Sequence, residues 1–359
     1  MILGNRRAAT GAPRRQGDPG DEAERGEYLH QAPHECLPLS EATDHGTSED
    51  VSDIVSENSA PEIFDRAARR VRRDRAAPGY AEHDFLRATM LDGIAERLAS
   101  VTHRFTDMLD LGCFDGALEG PPGATVTRCD AGAAFAARVG GIQADEDRLP
   151  FAAGAFDLVV SAGVLDSVND LPGALTLARR ALRPDGLFLA AFCGMGTLST
   201  LRAVLRAAEG DRPAARIHPQ IDVRSAGDLL MRAGFALPVA DIEPLTVRYR
   251  GMAGLLRDLR GMGGTNILRD RSPLRRDTLA RAADLFAARA DPDGKTAEQF
   301  DIVYLTGWSP APSQPKPARR GSATASLEGV LGRSAGSARS ADHPVTDALG
   351  EHPTDRIEQ

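Results

Sequence analysis

The sequence predicts an α/β fold: a mostly parallel sheet with helices on both faces and a helical insertion before the last strand. Three observations predict it. From residue 105 onward, short aliphatic runs of strand length alternate with helix-patterned stretches. The runs are continuously apolar, as suits strands buried on both faces. Each of the first four is followed by a glycine, an acidic residue or a serine, where an open parallel sheet binds its ligands.

The strands come first in the argument. TDMLDL (106–111), ATVTRC (124–129), FDLVVSA (156–162) and GLFLAAF (186–192) are four of them, with a shorter one in GIQAD ending at Asp145. AGAAFAARV (131–139) and LPGALTLARRAL (171–182) are the helices between, so the crossovers are parallel and right-handed. Asp170 caps the second helix, with Pro172 in its first turn. Arg183-Pro184-Asp185-Gly186 then ends it and turns the chain into the next strand. VRSAGDLLMRAGF (223–235) is a further helix, followed by a strand at FALPVAD (235–241). QFDIVYLTGW (299–308) is the last strand. The helically patterned stretch of about 250–290 has no place in a minimal sheet and is expected to form a lid or added layer.

Composition bounds the rest. Residues 1–60 and 310–359 are rich in Gly, Pro, Ser and charge, and are expected to be disordered tails around a domain at 61–309. The formal net charge of −8 disfavours nucleic acid as the main partner. RAARRVRRDRAA (66–77) and LRDRSPLRRDTLARA (268–282) are locally basic, and the plain reading of each is the solvated face of an amphipathic helix. No apolar run approaches membrane-spanning length. The N-terminus lacks the features of a signal or transit peptide. The four cysteines, Cys36, Cys113, Cys129 and Cys193, form no Cys-x-x-Cys pair. A reducing cytoplasm with unpaired thiols is therefore the expected setting.

LDLGCFDGALEGPP (109–122) follows the first strand, so Asp110, Gly112, Cys113, Phe114 and Gly116 are candidate cofactor-binding positions. The glycines permit close backbone approach, and Asp110 can brace the loop. Asp130 ends the second strand twenty positions after Asp110, where a carboxylate suits the vicinal hydroxyls of a ribose. Asp145 and Glu146 follow the third strand, and Ser161 ends the fourth. Taken singly, each is as readily a turn or a helix cap. Their recurrence after four strands points to a nucleoside, and the lack of a strict G-x-G-x-x-G disfavours a nicotinamide cofactor.

Taken together, LDLGCFDG, VTRCDAG, DEDRLPF, FDLVVSAGVLDSVND and LRPDGLF resemble, in order and spacing, the motifs of the Rossmann-like class I S-adenosylmethionine-dependent methyltransferases. A narrower resemblance runs from about 62 to 327. IFDRAARRVRRDRAA, VNDLPGAL, LLMRAGF, RGMAGLLRDLRGMGGTN, DIVYLTGW and ARRGSATAS resemble the methyltransferase-like assembly factors of respiratory complex I. That resemblance implies S-adenosyl-L-methionine as cofactor and a protein client, a complex I subunit, reached peripherally. One branch of the family is associated with hydroxylating a client arginine.

The chain departs from the family pattern in three places. Phe114 stands where a glycine is usual, so its side chain must turn away from the site or fill it. The helix after the first strand is cut to Ala117-Leu118-Glu119 by Gly120-Pro121-Pro122, since proline inside a helix costs ~3 kcal/mol or more. Where relatives usually carry Leu-His-Trp, this chain has Leu165-Asp166-Ser167. Asp166 is either a polar pocket residue or a surface cap, and the residues assign no catalytic base. Of the histidines, only His83, His103 and His218 fall in the folded stretch, in no pairing that suggests an iron site. His218 is expected on a loop facing a partner. Two functions stay open: an enzyme modifying a protein side chain, and a non-catalytic assembly factor that keeps the fold as a binding platform.

Overall fold

The computed structural model describes residues 62–314; the expected tails lie outside the described residues except for 310–314, where the Gln314 side chain donates to Asp185 at 2.9 Å. Seven strands form one sheet in the order β3-β2-β1-β4-β5-β7-β6. They are β1 (Asp107–Leu111), β2 (Thr125–Asp130), β3 (Ile142–Gln143), β4 (Phe156–Ala162), β5 (Leu182–Cys193), β6 (Ala236–Tyr249) and β7 (Thr296–Trp308). The first five pair in parallel. β7 runs antiparallel between β5 and β6. The order of strands reverses between β1 and β4, which is where such a sheet opens a ligand crevice.

Eight helices surround this sheet among the described residues: α1 (Arg66–Ala76), α2 (Phe85–Ala99), α3 (Ala133–Arg138), α4 (Leu171–Ala181), α5 (Ser199–Glu209), α6 (Val223–Arg232), α7 (Met252–Gly261) and α8 (Arg276–Ala287). Alternation along the strands divides the core. Leu109, Leu111, Val159 and Phe188 join Phe135 of α3, Leu175 of α4 and Leu230 of α6. Met108, Leu158, Val160 and Leu189 join Met90 and Ile94 of α2, Val204 of α5 and Phe286 of α8. Both faces are therefore covered, as the unbroken apolar runs predicted. Asp170 accepts from the Gly173 N–H at 2.8 Å and caps α4. The insertion before the last strand contains α7 and α8.

Three local features differ from the sequence reading. No helix follows β1; residues 112–124 cross to β2 as turns and loop. β5 begins at Leu182, so Arg183–Gly186 lies inside the strand, and Asp185 absorbs the irregularity at φ +65°. β6 is twice the expected length, a half-exposed edge strand pairing along nearly the whole of β7.

Position 93 tests the packing of α2 on the sheet. Glycine inside a helix is normally worse than alanine by roughly 0.5–1 kcal/mol. Here a Cβ on Gly93 would lie 2.4–2.7 Å from the ring and hydroxyl of Tyr304, whose ring is buried under the Arg97 guanidinium. Overpacking of that kind costs about 1–3 kcal/mol, so the clash outweighs the propensity gain. Gly93→Ala is expected to lower the denaturation midpoint; a raised midpoint would overturn this packing.

Candidate functional site

The carboxyl ends of β1, β2 and β4 meet under α1. Four arginines of α1, at 66, 69, 70 and 73, share one helix face by their spacing of three and four. They meet the acidic residues that the strand ends present. Arg73 is 5% exposed and grips Asp130 with two nitrogens, Nε to Oδ1 at 2.8 Å and Nη2 to Oδ2. Arg69, at 6% exposure, makes a two-pronged pair with Glu146 at 2.6 and 2.9 Å. Asp145 receives Arg70 at 2.8 Å and Arg66 at 3.3 Å, and Asp147 receives Arg66 at 2.6 and 2.7 Å. The plain reading of 66–77 as a solvated basic face is thus corrected: this stripe turns inward, because four carboxylates wait there.

The helix is held in place at both ends. Asp65 caps it through the Ala68 N–H at 2.9 Å. Phe64 exchanges hydrogen bonds with the Asn169 side chain at 2.8 and 3.0 Å. Near the other end, Asp74 accepts from Ala134 N at 2.9 Å, and the Ala77 carbonyl accepts from Arg138 at 2.7 Å. Sequence reasoning missed Arg66, Arg69, Arg70 and Arg73 as site residues. Their helical spacing opposite the acidic run 145–147 was the available signal.

The first loop closes the same ground. Gly112 and Gly116 sit at φ +84° and +76°, and a Cβ on Gly112 would strike Val164 at 2.5 Å. Phe114 adopts φ +47°, a left-handed conformation that only glycine reaches without strain. Its ring is buried and stacks on Tyr80 at 4.9 Å, meets Phe135 edge-on and carries the Arg73 guanidinium at 4.0 Å. Phe114 fills the site rather than turning away. The adjacent Cys113 is buried and unpaired, and burial pushes its thiol up to about 12. Cys129, also buried and unpaired, is pushed up for the same reason.

An adenosyl group needs a carboxylate free to face its ribose. Asp130 has none to offer. Beyond the Arg73 pair, its oxygens accept from Phe114 N at 3.0 Å and Gly132 N at 2.7 Å, which saturates two carboxylate oxygens. Burial alone would raise its pKa, but Arg73 and these donors outweigh burial and hold it below the usual carboxylate range. The N–H groups of Gly112 and Cys113 are spent on the Cys129 carbonyl. In this arrangement Asp130 is closed to a ribose unless Arg73 is displaced.

Two carboxylates escape the pairing. Asp110 is fully buried with neither oxygen hydrogen-bonded. Arg87 and Arg128 stand off at 3.5 and 3.9 Å. Burial, partly opposed by those arginines, raises its pKa to about 6. The Ser161 hydroxyl close by is likewise buried without a partner. Asp166 lines a cavity of about 260 Å³ between the strand ends and the loop after α7. Burial raises its pKa to about 6 against the pull of Arg69. His218 also lines the cavity instead of facing outward. Its Nε2 accepts from Ile267 N at 3.1 Å, and burial, aided by Arg69, lowers its pKa to about 4.

A carboxyl with a raised folded-state pKa is easier to keep neutral than charged. Asp166 therefore subtracts stability as pH rises from about 4 through about 6. A shift of two units corresponds to about 3 kcal/mol at most. Asp166→Asn is expected to raise the unfolding midpoint at pH 8 and leave it unchanged at pH 4, read by thermal denaturation across pH. An equal effect at both values would contradict the buried, cavity-facing placement.

Comparison with known proteins follows this geometry. The family described as "Methyltransferase domain" matches residues 109–190, from β1 into β5. The arginine-hydroxylase NDUFAF5, mitochondrial, of Danio rerio is 36% identical over 283 residues, covering 74% of this chain and 88% of that protein. Its counterpart in Homo sapiens is 36% identical over 293 residues, covering 76% and 84%. A malonyl-[acyl-carrier protein] O-methyltransferase of Laribacter hongkongensis is 30% identical over 272 residues, covering 69% and 90%. The chain belongs to the NDUFAF5 family of methyltransferase-like assembly factors.

Proposed function

We propose that this protein acts in the assembly of respiratory complex I by engaging and modifying an arginine side chain on a client subunit. The observation that carries this reading is the cavity of about 260 Å³ on the substrate side of the switch point. That volume lies below the ~300–1,000 Å³ of pockets that enclose whole small molecules and cofactors, and it suits one long side chain. Relatives named as arginine-hydroxylases supply the choice of residue.

S-adenosyl-L-methionine is the cofactor we assign, with Asp110, Gly112, Cys113, Phe114, Gly116, Asp130, Asp145, Glu146 and Ser161 as its proposed ground. Loading it requires α1 to withdraw its arginines and Phe114 to swing out. The saturation of Asp130 favours a second reading, in which the fold is kept as a platform without catalysis. Among the described residues no helix is long and apolar enough to cross a membrane, so contact with membrane-bound complex I is assigned to the client. The relatives are named mitochondrial. The unpaired Cys113, Cys129 and Cys193 suit a reducing compartment, and we assign the cytoplasm.

Two measurements test this. Calorimetric titration with S-adenosylmethionine is expected to give weak binding to the full chain and at least about tenfold tighter binding to Phe114→Gly, a difference of about 1.4 kcal/mol. Equal affinities would remove the occlusion, and no heat with either protein would leave only the platform reading. Mass spectrometry of complex I subunits from a deletion strain is expected to find one client arginine unmodified. A complete set of modifications would sink the enzymatic reading.

A further inference from the structure

The cavity beside Phe114 holds an unbalanced charge. Two of its arginines are paired, Arg69 with Glu146 and Arg73 with Asp130, while Arg87 stands off from Asp110 and Asp115 at 3.5 and 3.6 Å. Arg260 is exposed at the rim. His83 is bound to Asp258 at 2.9 Å. His218 accepts a backbone N–H, which fixes that ring nitrogen without a proton. Asp166 is the only acidic side chain in the lining and forms no ion pair among the described residues, although Arg69, Arg73 and its own backbone N–H act on its charge. It lies on the short 3₁₀ turn after β4, Leu165–Ser167, beside the half-buried Cys193 and below the loop Met262–Ile267.

Part of the remaining wall is apolar, with Leu86, Met90, Leu198, Leu256, Leu259 and Phe300, and part is polar, with Ser167, Thr197, Gln220, Thr265 and Asn266. A half-buried carboxylate without an ion pair gains by pairing with a cation. An apolar wall that leads to one carboxylate is the complement of a long aliphatic stem that ends in a cation. A planar guanidinium can take both oxygens of such a carboxylate at once.

We propose that Asp166 receives the guanidinium of the client's arginine in this cavity and is the residue that selects arginine. The proposal rests on the client-arginine reading above and adds the group that recognises it. Asp166 is a specificity residue by this argument, since it grips the substrate cation while Leu86, Met90 and Phe300 enclose the stem. A carboxylate here would be a liability in an empty structural pocket.

The test compares two probes of the same shape, N-acetyl-arginine amide and the neutral N-acetyl-citrulline amide. Each is titrated into the full chain and followed by chemical-shift perturbation. The arginine probe is expected to bind at least about tenfold more tightly, as for a site built around one charged contact. Asp166→Asn is expected to erase that preference, and Asp166→Glu to keep part of it. Thermal melts report that each variant folds. Citrulline binding within a factor of about two of arginine, a preference that survives in Asp166→Asn, or no arginine binding at all would each overturn the assignment. The proposed function fails by a different readout, the intact modification in the deletion strain. Discrimination in vitro without a missing modification would support Asp166 and overturn only the enzymatic step.

Discussion

The buried pair of Arg73 with Asp130 is the contact on which the rest of the site depends. Either charge alone would be costly in this environment, because removing an ion from water carries a penalty of several kcal/mol. Together they satisfy one another, and the backbone N–H groups of Gly132 and Phe114 complete the carboxylate. The guanidinium then lies over the Phe114 ring, which lies on Tyr80. Losing either partner would strand a buried charge, the costly way to break such a pair. One ion pair thereby fixes a helix, a loop conformation and an aromatic stack.

Around that pair the ligand-binding end of a generic fold has become an internal network. Asp130, Asp145, Glu146 and Asp147 stand at the ends of β2 and β3, and Arg66, Arg69, Arg70 and Arg73 answer them from one helix. The missing helix after β1 belongs to the same pattern. Without its free N–H donors and dipole, the strand ends have lost a usual source of positive potential, and the arginines of α1 supply it. Asp110 is left without a hydrogen bond, and its burial works against stability. Local violations of this sort concentrate at functional sites, and Asp110, Ser161 and Asp166 lie at the ends of the two central strands or just beyond them.

The strands that lie inside the sheet were legible because burial on both faces demands an unbroken apolar run, as in FDLVVSA and GLFLAAF. β6 was legible only in part. It is an edge strand, exposed at Leu237, Val239 and Ile242 and interrupted by Pro244, a residue that edge strands tolerate. The α1 stripe was misread for a deeper reason. Arginines at helical spacing look the same whether they face water or carboxylates brought close by folding, and the partners of Arg69 and Arg73 lie 77 and 57 residues away. His218 and Asp166 share that difficulty, since their burial comes from the loop after α7. What sequence could locate was the chemistry at the strand ends; what it could not supply was the element that covers them.

That cover makes the two ends of the site interdependent. Arg69, Arg73 and Phe114 hold the strand-end carboxylates or the first loop, and the same three side chains line the cavity that contains Asp166. A ligand that claimed Asp130 would have to displace Arg73, and the wall of the cavity would change with it. Conversely, a cation seated against Asp166 lies near Arg69, and repulsion between them bears on the grip of α1 on Glu146. Coupling of this kind is reciprocal in binding free energy, so occupancy of one end must be felt at the other through α1. The geometry that saturates Asp130 is therefore the geometry that shapes the cavity around Asp166, and neither can be altered without the other.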